Sequence, residues 1–382
     1  MEALLYFDYA AATPVDPRVY AAMQPYFSER FYNPSATYGP AQVVRAELEA
    51  ARAGIAHWLG ARPNEIVFTA GGTEANNLAV RGIMEQFPDG NVIVSNLEHE
   101  SVLQTARHYS CREMPATPDG IVDIAALAQL IDDATVLVSI MYANNEIGTI
   151  QPIRKLSRAI AAVREDRRLR GIKRPIYLHT DAAQAAAYLD LHVSRLGVDL
   201  LSINSGKIYG PKGSGALFVA SGVQLRPQVW GGGQERGLRS GTENVAGAVG
   251  LATALELVQR DRHAESARLA LLQNYFFDLL TRDIPTAIIN GSRKFRLPNN
   301  VHVTFPGQDN ERLLFALAEK GILCAAGSAC SASSDEPSHV LDALGLSASA
   351  ARASLRFTFG HDTTREAVEQ VVAALAQLVR SA

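Results

Sequence analysis

Between residues 60 and 220, short apolar runs rich in β-branched residues alternate with stretches of helical period. Glu65–Thr69 (EIVFT), Asn91–Ser95 (NVIVS), Thr135–Tyr142 (TVLVSIMY), Ile176–Thr180 (IYLHT), Asp199–Ile203 (DLLSI) and Gly215–Ala220 (GALFVA) predict strands. Several are apolar at successive positions, the pattern of a sheet covered by helices on both faces. Leu78–Phe87 and Ile124–Ile131 between them read as helices, and that rhythm predicts a mostly parallel α/β sheet. Upstream, Val44, Leu48, Ala51, Ile55 and Trp58 fall on one face of a helix over Ala41–Leu59, with Pro40 at its start. Downstream, Val245–Leu280 is a long helical stretch, followed by shorter strands and helices. The last helix is predicted to open on a capping box at Thr363 and Glu366, with Val368, Val371, Val372 and Leu375 inward. This gives a large central domain and a smaller C-terminal one, with the first dozen or so residues folded back onto the latter.

Composition narrows the class. The 382 residues carry 36 Lys and Arg against 39 Asp and Glu, a net charge of −3, which excludes affinity by blanket phosphate neutralisation and predicts no direct nucleic-acid binding. The three cysteines (Cys111, Cys324, Cys330) have no C-x-x-C spacing, so neither a zinc site nor a secreted disulfide scaffold is expected. The N-terminus lacks the pattern of a secretory leader. The longest nearly uncharged apolar stretch, Val245–Leu255, is short of the roughly 18 residues of a membrane span. A cytoplasmic globular enzyme is the expectation. Arg164–Arg174 (REDRRLRGIKR) reads as a solvated helix end rather than a binding patch for an acidic partner.

Three segments carry chemistry. In Phe68–Asn77 (FTAGGTEANN) a strand runs through two glycines and a threonine into a helix, which makes an anion cradle or an ordinary βα turn. Asp181 directly follows a buried strand, where open α/β sheets gather ligand groups, though a capping aspartate would look alike. Lys207 sits in a Ser/Gly-rich turn after another strand. Together a phosphate cradle, a strand-end aspartate and a strand-end lysine are the set that pyridoxal phosphate requires. In Ser354–Phe359, Arg356 alternates with Leu355 and Phe357 and so points away from their apolar face; its charged fork suits a carboxylate. Cys330 lies in a run of small residues (AGSACSASS) that leaves a thiol accessible, whereas Cys324 sits among apolar neighbours.

The motifs FDYAAATPVDPRV, NPSATYG, GGTEANN, EHESV, SIMYANNEIG, TDAAQ, KIYGPKG, GGGQERGLRSGTEN, GSACSASSDEPSHVL and SLRFTFG resemble, in order, the cysteine desulfurases of the iron–sulfur and nitrogenase type. The resemblance implies a fold-type-I pyridoxal-phosphate transferase. Its large domain (15–255) would hold a mostly parallel seven-stranded sheet, and 1–14 with 256–382 would form a small α+β domain bearing the Cys330 loop. By the same resemblance Lys207 would be the Schiff-base lysine and His99 would stack on the cofactor ring and assist proton transfer. Asp181 would pair with the ring nitrogen and Gln184 with the ring hydroxyl, Asn145 (with Asn144 beside it as the competing position) would line the same side, and Gly72 and Thr73 would hold the phosphate. Thr242 would reach the phosphate of a neighbouring subunit, implying a homodimer, while Asn33 and Arg356 would clamp the substrate carboxylate. Cys330 would take sulfur from L-cysteine as a persulfide, release alanine, and pass the sulfur to an acceptor in iron–sulfur assembly, tRNA thiolation or DNA phosphorothioation. This chain reads Asn204-Ser205-Gly206-Lys207 where relatives place a histidine before the lysine, so Ser205, with Asn204 or backbone N–H groups, is expected to take the phosphate contact. A selenocysteine lyase-like or other β-eliminating enzyme, an aminotransferase with no use for Cys330, and a non-catalytic scaffold are the competing readings.

Overall fold

The computed structural model describes residues 4–327 and 338–380; Cys330, and with it the loop expected to deliver sulfur, lies outside the described residues. Twelve strands are placed in chain order: β1 (Leu5–Tyr6), β2 (Ile66–Thr69), β3 (Asn91–Ser95), β4 (Ser110–Met114), β5 (Thr135–Ser139), β6 (Tyr177–Asp181), β7 (Leu200–Asn204), β8 (Gly215–Val219), β9 (Ile288–Ile289), β10 (Asn300–Thr304), β11 (Ile322–Leu323) and β12 (Ser354–Thr358).

Seven of them form one sheet in the order β2-β8-β7-β6-β5-β3-β4. β8 runs antiparallel to both neighbours and every other pair in the sheet is parallel. The inner strands β3, β5 and β8 are buried at every position, as their apolar runs require of a sheet with helices on both faces. β4 (SCREM) is an edge strand whose polar composition gave no strand signal in the sequence. The expected strand over Thr135–Tyr142 ends at Ser139, because Ile140–Asn145 turns across the sheet edge and carries site residues.

The remaining strands build two small sheets. In one, β10 pairs antiparallel with β12 and β9; in the other, β1 pairs parallel with β11, so Leu5 and Tyr6 lie beside Ile322 and Leu323. A helix over Val245–Asp283 runs without a break past residue 255. Its buried stripe joins the same core as Phe357 and Phe359 of the C-terminal part and Ile203 of the large sheet. The final helix is Arg365–Arg380, and its first-turn cap differs from expectation: Thr364 Oγ1 accepts from Ala367 N–H at 3.2 Å, while Thr363 Oγ1 accepts from Gly360 N–H at 2.9 Å and closes the preceding turn.

The basic stretch after residue 164 is internally matched. Arg168 pairs with Glu165 at 2.6 Å and Arg170 with Asp166 at 2.8 Å. Arg167 is buried and donates to the carbonyls of Asp132 and Thr135 at 2.7 and 2.8 Å. Its charge is committed to closing the fold, so the stretch ends a helix as expected but is not solvated throughout. Among the described residues no helix is long and apolar enough to cross a membrane, and no cluster of three His, Cys, Asp or Glu side chains is placed to hold a metal ion.

Candidate active site

The carboxyl ends of β2, β3, β5, β6 and β7 point the same way, and the loops that leave them wall one cleft. Its outer part, about 600 Å³, lies against Gly71, Gly72, Thr73, Asn204, Lys207 and Lys212. Its inner part, about 190 Å³, adds His99, Asn145, Asp181, Gln184 and Arg356. Gly72, Thr73, Asn204 and Lys207 belong to both, so the two are continuous.

The anion cradle follows from the β2 turn. Gly71 has φ 146°, a conformation that glycine tolerates, and the helix Gly72–Met84 starts immediately after it. The first N–H groups of that helix have no intrahelical partner and face the cleft with a positive dipole end. A Cβ on Gly72 would come within 3.3 Å of Asn204 Cβ, a tight contact that would push on the neighbouring turn.

Asp181 ends β6 and is 6 % exposed. Its Oδ2 accepts from Asn76 Nδ2 at 2.6 Å and its Oδ1 from Ala183 N–H at 2.9 Å. Asn76 Nδ2 also donates to Ser101 Oγ at 2.9 Å, and that hydroxyl lies 2.8 Å from His99 Nδ1. His99 caps the helix Glu100–Arg107, with its Nδ1 accepting from Ser101 N–H at 3.1 Å, so the ring carries its proton on Nε2. One chain of hydrogen bonds thus fixes Asp181 and His99 relative to each other. Asn76 and Ser101 were missed in the sequence; the available signal was a polar residue on the otherwise apolar inner face of Gly72–Met84.

Lys207 follows β7 through a single tight turn, Ser205–Lys207. Its Nζ donates to the carbonyls of Ala10 and Ala11 at 2.8 and 2.6 Å, and Gln184 Nε2 donates to the Ala10 carbonyl at 2.9 Å. The N-terminal segment therefore closes one wall. Ser205 departs from expectation. Alternation along the strand end turns Asn204 to the cleft and buries Ser205 on the opposite side, where its hydroxyl faces Gly210 so closely that a Cβ there would lie 2.0 Å away. Asn204 lines the cleft, whereas the Ser205 side chain is buried and does not.

Arg356 is on the face of β12 opposite Leu355 and Phe357, and it is 1 % exposed at the inner end of the cleft. Its Nη2 pairs with Asp8 at 2.6 Å and its Nη1 donates to the Asn145 carbonyl at 3.0 Å. Asn144 is committed elsewhere: its amide donates to the Leu97 carbonyl and its Oδ1 accepts from the N–H groups of Glu146 and Ile147. Asn145, not Asn144, lines the cleft. Asn33 and Thr242 lie on exposed loops and do not wall the cleft of their own chain. Burial pushes the thiol of Cys324 up to about 12, with Asp8 adding to the shift, so that cysteine is not a ready thiolate.

Beneath His99, Glu98 is fully buried. Its Oε1 accepts from Ser95 Oγ at 2.5 Å and Met141 N–H at 2.8 Å, while its Oε2 has no hydrogen-bond partner among the described residues. Burial, reinforced by the nearby Asp181 charge, raises it to about 8 against a little over 4 for an ordinary glutamate. The folded state then holds a proton that the unfolded state has released, so the stability this proton confers is lost as pH rises through about 8. Through Glu98, the melting temperature of the cofactor-free protein is expected to fall between about pH 5 and pH 8 and to level off above that, and Glu98→Gln, which cannot ionise, should flatten that decline. An unchanged slope in the variant would assign the pH dependence to another group.

The polar groups in the cleft form a matched set: helix N–H groups and a threonine for a phosphate, a buried carboxylate at the far end, and a primary amine and an imidazole between. The profile of the class-V aminotransferase family matches residues 5–371. The chain belongs to that family, among its cysteine desulfurases. It is 40 % identical to a cysteine desulfurase IscS of Dictyoglomus turgidum over 99 % of this chain and 95 % of that one. It is also 40 % identical to cysteine desulfurase IscS 1 of Archaeoglobus fulgidus over 97 % of this chain and 95 % of that one. Among solved structures, a NifS-like protein superposes with a TM-score of 0.90 at 31 % identity, covering 99 % of this chain and all of the other. SspA in complex with cysteine superposes with a TM-score of 0.79 at 36 % identity, covering 93 % and 98 %. Class-V desulfurases depend on pyridoxal phosphate, and the cleft of this one presents groups that fit it.

Proposed function

We propose that this pyridoxal-phosphate-dependent cysteine desulfurase moves the sulfur of L-cysteine onto Cys330 and from there to a protein acceptor. The observation that carries the reading is the convergence of Lys207, Asp181, His99 and Arg356 on one cleft. Gly72, Thr73, Asn204 and the start of the helix Gly72–Met84 would hold the phosphate; Asp181 would face the ring nitrogen, and His99 and Gln184 the ring. When bound, the cofactor supplies an electron sink for charge that develops at the substrate's α-carbon.

The chain's own residues do the rest. Arg356 binds the substrate carboxylate with a guanidinium already desolvated and oriented by Asp8 and the Asn145 carbonyl. Lys207 is the amine positioned to take the α-proton. The chain Asp181–Asn76–Ser101–His99 holds the imidazole in one tautomer. A thiolate of Cys330 then attacks the substrate sulfur: the Cβ–S bond breaks, an S–S bond forms, and cysteine plus the enzyme thiol become alanine plus the enzyme persulfide. Intact-mass measurement after a short incubation with L-cysteine and no reductant tests this, with alanine assayed alongside. Added sulfur on Cys330 with alanine released supports it; alanine with an unmodified Cys330 would indicate a lyase that frees sulfide directly.

A lysine in place of Arg356 keeps the charge and loses the fork. KM for cysteine is expected to rise about ten- to a hundredfold, the cost of one or two charge-assisted hydrogen bonds, with cofactor content unchanged. An unaltered KM would place the carboxylate elsewhere.

The active form is read as a homodimer. Asn33 and Thr242, which do not wall their own cleft, lie on exposed loops that also carry exposed aromatic side chains. Phe31 and Trp230 are 65 % and 77 % exposed, apolar surface of the kind a second copy covers. Sedimentation of the purified protein at twice the chain mass supports this, and a monomer that turns over cysteine at full rate refutes it.

A further inference from the structure

The helix His339–Ala343 belongs by sequence to the C-terminal part of the chain, and it begins where the Cys330 segment rejoins the described structure. It is seated on two loops of the large sheet. Val340, Leu341 and Leu344 share one apolar cluster with Leu97, Met141 and Ile147. Of these, Met141 walls the cleft. Polar contacts lock the same junction. Ser338 Oγ donates to Glu146 Oε2 at 2.6 Å and also accepts from Val340 N–H at 3.2 Å, capping the helix. His339 Nε2 lies 3.0 Å from the Glu98 carbonyl, and its Nδ1 lies 3.3 Å from Glu100 Oε1. A carbonyl and a carboxylate can only accept, so the ring serves both when each nitrogen carries a proton. Ser338 thereby grips the residue after Asn145, and His339 grips the residues on either side of His99.

We propose that Ser338 and His339 are positioning residues for sulfur transfer. They fix the point where the chain re-enters the described structure, eight residues after Cys330, to the loops that carry His99 and Asn145. Neither touches a reacting atom. The inference rests on Cys330 being the sulfur acceptor, and its test separates the two ideas.

His339→Phe keeps the ring's bulk and deletes both polar contacts; His339→Gln keeps one donor. In rapid mixing of the cofactor-loaded enzyme with L-cysteine, the rate of persulfide appearance on the Cys330 peptide is expected to fall about tenfold in His339→Phe. Cofactor content, visible absorbance and KM for cysteine should be unchanged, and His339→Gln should recover part of the rate. In the cofactor-free protein, hydrogen exchange at residues 98–101 should quicken in His339→Phe and less so in His339→Gln. A wild-type persulfide rate in His339→Phe would overturn the inference alone. So would an equal loss of cofactor and rate in both variants, which marks general destabilisation. Absence of persulfide from the wild-type enzyme would overturn the Cys330 reading and this inference with it.

Discussion

Replacing Lys207 with alanine is expected to abolish turnover, a fall of at least about a thousandfold in kcat, and to remove the protein's visible cofactor absorbance even after added pyridoxal phosphate. The expectation follows from the lack of a substitute. Lys212, the other amine bordering the cleft, is turned toward the Thr13 carbonyl and lies on the outer wall. Lys207 reaches both parts of the cleft from a turn only three residues long, which leaves its backbone little freedom. Its ammonium is already partly desolvated against two carbonyl oxygens. Alanine there would leave those carbonyls facing an enlarged cleft, a small stability cost beside the loss of the amine. Sustained conversion of cysteine to alanine by Lys207→Ala, measured by amino-acid analysis, would contradict the assignment.

The second large effect is expected at Cys330. Cys330→Ser should bind cofactor and cysteine as the wild type does and form no persulfide, because a serine hydroxyl is not ionised at neutral pH and cannot take sulfur. The alternative nucleophiles are poorly prepared. Cys324 is pushed up to about 12 by burial and Cys111 to about 11, chiefly by burial with Glu113 adding. Both are thiols across the working pH range. Sulfide release at the wild-type rate from Cys330→Ser, followed by methylene-blue assay, would move the nucleophile elsewhere.

What the sequence disclosed and what it hid divide along a physical line. Interior strands announce themselves because a sheet with both faces covered needs unbroken apolar runs, and β3, β5 and β8 have them. The edge strand β4 answers to solvent on one side and its residues, SCREM, carry no such mark. Residues at strand ends were readable for the same reason: Asp181 and Lys207 stand where an α/β sheet must leave its polar groups. Contacts between distant segments were not readable. Nothing near Asp8 indicates that it will neutralise Arg356, and nothing near Ala10 that its carbonyl will receive Lys207 and Gln184. Ser205 shows the finer limit. Its residue type suited a phosphate, but a shift of one position along an extended segment reverses the face, and only the register decides which of Asn204 and Ser205 looks inward.

The N-terminal thread also constrains how the molecule is made. Leu5 and Tyr6 pair with Ile322 and Leu323, Phe7 receives Thr358, and Asp8 meets Arg356 at a sequence separation of 348 residues. At ribosomal rates the segment therefore waits on the order of 20–70 seconds for its partners to be synthesised. Through that interval Phe7 lacks its ring partners Phe357 and Phe359. Part of the catalytic wall therefore settles only after partners 348 residues further along have been made.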